Sequence, residues 1–219
     1  MFSKYSGDIA KIATNADGLY EGDLRRYVKV ILQAPNIYNG YHGLRHMLHV
    51  LWVCYQACEY YARLGKLTPP RMRRLLIAAI FHDYYHSGKS GDDKENIAEA
   101  IKGLRFHLLV EDYPYLEEIE NILRATQFPH EDLGSTATLE QRILRDADVS
   151  QAFGPVWIGD ILAGFGSELE KTPLEMLKQQ LGFLNTLKFH SDFGKVFYGE
   201  DALHAKKVET MDLIAILET

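Results

Sequence analysis

The chain is poor in cysteine, in long apolar runs and in basic clusters, and each shortage excludes something. Its 219 residues hold two cysteines, Cys54 and Cys58, four positions apart in a segment of helical pattern. A zinc site built on thiolates needs more of them or a two-residue gap, and neighbours on one helical turn rarely meet disulfide geometry. The pair reads as two small core residues in a protein of the cytoplasm. No apolar run reaches the roughly 18 residues that a membrane-spanning helix requires, and Met1 to Leu19 has no apolar centre of the kind a secretory leader carries. Lysine and arginine number 24 against 30 acidic residues, a net charge of −6, and no five or six cations stand together. A grip on a nucleic-acid backbone is therefore not expected. Such a balance leaves room for a small anionic substrate, provided that a cation is recruited to hold it.

What the chain does have is helical periodicity almost throughout. Its length suits one domain, residues 1–219. Apolar spacing predicts helices over about residues 21–33, 41–65, 71–82, 92–110, 114–127 and 138–153, then shorter apolar stretches after the Gly154-Pro155 break. Two more are expected from Pro173 to about Phe189 and from Asp201 to about Leu217, the first opened by Thr172 as N-cap with Glu175 three positions on. No alternating strand pattern is present, so the fold class is all-α. The third segment is nearly all apolar from Leu75 to Phe81. A helix apolar on every side belongs at the centre of a bundle, and this one runs directly into His82-Asp83.

Five of the nine histidines fall in two short windows, YHGLRHMLHV (His42, His46, His49) and FHDYYHSG (His82, His86). His42 and His46 lie one helical turn apart on one face, whereas His49 lies off it. Adjacent helical residues point about 100° apart, so His82 and Asp83 can share one ion only near a helix end, and Gly88 suits a chain turning away there. Imidazole with carboxylate suits divalent iron, manganese, cobalt, nickel or zinc. A third window, LRDADVSQAFG, offers Asp146 and Asp148, both flanking an apolar face; periodicity does not choose between them.

These three windows together resemble the signature of the HD-domain metal-dependent phosphohydrolase superfamily, over a motif core of residues 41–153, with helices of 154–219 expected to pack on it. The resemblance implies His46, His82, Asp83 and Asp148 as metal ligands, taking Asp148 over Asp146, which would then support the site or face solvent. YHxxxH and HDxxHxG are also similar to the cyclic-nucleotide phosphodiesterases. That likeness implies His42 as the general acid and His86 beside metal and substrate. Gly43 stands where those enzymes have Asn, and their purine-clamping residues have no evident counterpart. The remainder of the chain is more similar to uncharacterised bacterial HD-type hydrolases.

The expected activity is hydrolysis of a phosphate ester of a nucleotide or other small molecule, with one or two divalent ions, magnesium included. Coordination brings the pKa of water from about 15.7 towards 7, and a cation offsets charge on phosphoryl oxygens. Asp83 is the carboxylate best suited to bridge two ions, catalysis falls to His42, His86 and Asp83, and His86 and His130 are candidates for a second ion or for substrate phosphate. Two other readings use the same residues. An HD-type di-iron oxygenase would draw extra ligands from His86, His107 and His130, and a sensor would bind a nucleotide or metal without turnover. Membranes are not expected as partners.

Overall fold

The structure, a computed structural model, describes residues 5–89, 93–129 and 133–219. Helix follows helix, and no strand forms among the described residues. The α-helices are α1 (Tyr5–Thr14), α2 (Arg25–Ile31), α3 (Leu44–Arg63), α4 (Pro69–Phe81), α5 (Asp93–His107), α6 (Leu116–Arg124), α7 (Leu139–Val149), the single turn α8 (Gly166–Glu168), α9 (Pro173–Thr186), α10 (Asp192–Tyr198) and α11 (Glu200–Glu218). Short 3-10 segments precede α6 and follow α7, and a π-helical segment spans Gly159–Phe165.

The helix apolar on all sides does occupy the centre. In α4 every residue from Leu75 to Phe81 is fully buried, and α2, α3, α5, α6 and α7 all pack against it. Burying a side chain of this size stabilises by about 1.5–3 kcal/mol, so this one stretch anchors the bundle. Cys54 and Cys58 are both buried on α3, within the same core. The capping box expected at Thr172 is formed, and Thr138 makes another with Gln141 at the start of α7. No helix of the described residues is long and apolar enough to cross a membrane.

One expectation needs correction. The helix expected over residues 21–33 is confined to Arg25–Ile31, because the carbonyls of Glu21 and Asp23 accept from the Arg73 guanidinium at 3.0 and 2.8 Å and leave the helical path. Helices α1 and α10 were not anticipated, and neither was the π-helical segment. Helix α10 is only seven residues long, with Gly194 inside it and Gly199 closing it, too short for a periodicity to show; its start is fixed by the Ser191 hydroxyl, which accepts from Gly194 N–H at 2.9 Å.

Candidate metal centre

His82 is the C-cap of α4, and the chain leaves the helix through a turn at Asp83. The helix end brings the adjacent pair together, with His82 Nε2 and Asp83 Oδ2 3.5 Å apart. His46 comes in from the first turn of α3 and Asp148 from the last turn of α7. His46 Nε2 stands 3.0 Å from Asp148 Oδ1 and 3.4 Å from Asp83 Oδ2, and His82 Nε2 lies 3.7 Å from Asp148 Oδ1. Three of the four, His46, His82 and Asp148, have ligand atoms within 4.8 Å of one another.

The donor set fits a divalent cation on three counts. Ligand bonds of about 2.1 Å place neighbouring donor atoms roughly 3.0 Å apart at right angles and 3.4 Å apart at tetrahedral angles, close to the spacings seen. His82 Nε2 and Asp83 Oδ2 are buried without any hydrogen-bond partner among the described residues, an arrangement that costs several kcal/mol unless something else satisfies them. Finally, both imidazoles are held in the tautomer a metal needs. His82 Nδ1 meets the Ala79 carbonyl at 2.8 Å and His46 Nδ1 meets Gln151 Oε1 at 2.6 Å. Both acceptors fix the ring proton on Nδ1 and leave the Nε2 lone pair aimed inward.

The electrostatics are those of a cation site. Burial alone would raise Asp83, yet the surrounding His82, His42 and His46 hold it well below the usual carboxylate range. Burial, the largest influence on Asp148, opposes its ionisation, and His46 and His82 together outweigh it and bring the carboxyl below its ordinary value. For His46 burial acts downward, and the Asp148 and Asp83 carboxylates reverse it to about 9.

His42 and His86 line a 70 Å3 cavity together with His82, Asp83 and Asp148. Their rings stack on each other, centroids 3.8 Å apart. His42 Nδ1 lies 2.6 Å from Glu168 Oε2, while Glu168 Oε1 accepts from the backbone N–H of Tyr41 and His42 at 2.7 and 2.9 Å. Burial would raise Glu168, but these bonds, led by His42, bring it below its ordinary value. His86 accepts Gly88 N–H at Nδ1, 3.0 Å away, so the neutral ring carries its proton on Nε2. Burial holds His86 down at about 4 against the opposing pull of Asp83.

Several residues around this site went unremarked in the sequence. Asn36, buried in the turn-rich stretch after α2, donates to the carbonyls of both His42 and Asp83 at 2.8 Å and accepts from Tyr85 N–H. It ties the two histidine windows together. Asn39 donates to the His86 carbonyl at 2.9 Å. Asp93 opens α5 on the cavity wall and accepts from Phe128 N–H at 2.6 Å; burial pushes its carboxyl up. The sequence leaves Glu95 and Asn96, at the start of α5, as either support for the site or a solvated helix start; Asn96 lines the cavity and Glu95 is exposed. Asp146 does not face solvent: it is 2% exposed and accepts from His190 N–H, Ser191 N–H and the Ser191 hydroxyl. His49 is largely buried against Ser150, and His107 meets Tyr84 Oη at 3.2 Å rather than lining the cavity. His130 lies outside the described residues.

A model of the HD domain matches residues 43–152, half of the chain, and takes in His46, His82, Asp83 and Asp148. The chain belongs to the HD-domain superfamily. That superfamily consists mostly of metal-dependent phosphohydrolases, in keeping with a His/Asp cluster able to hold a divalent ion. A search of curated proteins returns no match. Within the HD frame, Gly43 has a local cause: a Cβ there would stand 2.5 Å from the Asn39 carbonyl oxygen, so the loop that delivers His42 closes only over glycine.

Proposed function

We propose that this HD-domain protein hydrolyses a phosphate ester of a small molecule, with a nucleotide as the leading substrate class, using a metal held by His46, His82, Asp83 and Asp148. The observation that carries this reading is the unpartnered pair His82 Nε2 and Asp83 Oδ2, which line one small cavity with His42 and His86. When bound, a divalent ion there supplies charge compensation for phosphoryl oxygens and acidifies a coordinated water.

The chain's own residues then have distinct tasks. Glu168 accepts from His42 Nδ1 and orients the ring, and His42 Nε2 donates the proton that the departing oxygen needs. His86 serves as a neutral donor to phosphate oxygens; its Nδ1 is already occupied by Gly88 N–H, which disfavours it as a ligand to a second ion. Asp83 has two oxygens and is the carboxylate able to serve a second ion if one binds. Ile97 and Phe128 complete the cavity wall and limit water around the scissile bond.

His82→Ala and Asp83→Ala are expected to abolish phosphate release from a panel of nucleotides and sugar phosphates assayed with Mn2+, Co2+, Ni2+ and Mg2+, and to lose bound metal by elemental analysis. Turnover unchanged in either variant sinks the assignment. His42→Asn should cost about 10²–10⁴-fold in kcat on alkyl phosphates, and far less on a nitrophenyl ester, whose leaving group needs no proton. Equal losses on both substrates would remove His42 from the acid role.

A further inference from the structure

On the face of α3 that carries Arg45, Leu48 and His49 lies a second, larger cavity of 860 Å3. Residues such as Ile37, Leu48 and Val156 give it largely apolar walls, and its size falls within the roughly 300–1,000 Å3 of small-molecule sites. Four polar side chains break the apolar lining: Gln151, Arg45, His49 and the buried Asp160. Gln151 is 4% exposed; its Oε1 is committed to His46 Nδ1, and its amide nitrogen donates to no described residue. Arg45 sits at the mouth, its side chain 61% exposed, with Nη1 2.9 Å from Asp160. A guanidinium has five N–H donors in a planar fork, so the bond to Asp160 leaves others open to a second acceptor. His49 adds no charge: burial holds it down at about 3, and its Nε2–H donates to Ser150 Oγ at 2.9 Å, the hydroxyl itself donating to the Ala147 carbonyl.

The Gln151 amide donor, and the Arg45 N–H groups that Asp160 does not take, stand at the edge of an apolar cavity and suit an acceptor-bearing, anionic head on an apolar body. We propose that this cavity is an effector site for an amphipathic carboxylate, its tail against Leu48 and Val156 and its head on Arg45 and the Gln151 amide. Gln151 also gives the site a route to the metal centre. A carboxylate on the amide nitrogen polarises the amide and strengthens its carbonyl as the acceptor of His46 Nδ1–H, which firms His46 as a ligand. This coupling rests on the metal reading above; binding to the cavity does not.

The test begins with calorimetric titration of the metal-free protein with hexanoate, octanoate and decanoate. Affinity is expected to rise about three- to fourfold per added methylene until the cavity is full. Val156→Trp, which fills the cavity, should weaken octanoate at least tenfold, and Arg45→Gln should weaken octanoate but not 1-octanol; thermal unfolding checks that both variants are folded. Saturating octanoate should then tighten Mn2+ binding by about two- to fivefold, an effect absent in Val156→Trp. No saturable heat with any carboxylate, or octanoate binding unaltered in Val156→Trp, overturns the site. Equal affinity for octanol and octanoate overturns the anionic head, and an octanoate-independent Mn2+ affinity overturns the coupling. Dimerisation abolished by Val156→Trp would assign the cavity to a second copy of the chain and refute the effector. Failure of wild-type protein to bind Mn2+ at all would count against the metal reading and leave the carboxylate titration standing.

Discussion

Asp146 and Asp148 sit two positions apart on α7, about 200° around the helix, and the structure gives them separate work. Asp148 joins the cluster with His46, while Asp146 accepts three hydrogen bonds from His190 and Ser191 and so pins the start of α10. Burial pushes Asp146 up, and the Ser191 and His190 donors oppose it without cancelling the shift. Asp146→Ala strands buried donors and is expected to cost roughly 2–4 kcal/mol in urea unfolding, while bound metal per chain stays unchanged. Asp148→Ala should do the reverse. Periodicity could not separate the two because the residues that claim Asp146 lie 44 and 45 positions downstream. The His windows were legible because metal donors must recur at helical spacing or at a helix end. Gln151 and Asn36 were not, since an amide that orients another residue has no spacing rule of its own. Gln151 even lies inside the window that carries Asp148.

At the scale of elements, the stretch after α7 shows where sequence reading stops. The Gly154-Pro155 break is visible in the sequence, but a π-helical turn does not repeat at 3.6 residues and leaves no 3.6-residue pattern to find. That segment, Gly159–Phe165, stacks Phe165 on Tyr41 at 4.8 Å, and Tyr41 in turn stacks on His46 at 4.9 Å. It docks through a backbone contact of Gly164 with Gly40, where a Cβ on Gly164 would stand 2.4 Å from the Gly40 carbonyl oxygen. Gly164→Ala must therefore push the segment outward and carry Glu168 away from His42. A displacement near 1 Å can cost about 10²-fold in rate, so kcat is expected to fall by about 10–100-fold with Mn2+ affinity unchanged, as steady-state kinetics and calorimetry would show. Helices α3, α4, α7, α9 and α11, in contrast, were readable to within a few residues, because each is long enough for its apolar face or caps to repeat.

Across the whole molecule the core is rich in tyrosine, and this sets an alkaline limit to stability. Burial raises Tyr20, Tyr27, Tyr41, Tyr55 and Tyr61 above the ordinary value. Tyr27 also donates to Asp112 Oδ2 at 2.6 Å, so its ionisation would set two negative charges side by side. The unfolded chain loses these protons near pH 10 and the folded one holds them longer. Their contribution is complete below about pH 10 and is lost as pH rises towards the folded values. Absorbance at 295 nm should accordingly show the exposed tyrosines titrating first and the buried ones only together with loss of helical circular dichroism. A different boundary runs through the reaction itself. The residues that match the HD domain end at 152, and the carboxylate against His42 stands at position 168. The metal ligands of the proposed reaction thus lie inside the matched segment, and the pair proposed to deliver the proton, His42 and Glu168, lies outside it on either side. A chain cut back to the matched segment would keep every proposed ligand and lose the carboxylate that holds the proposed acid in place.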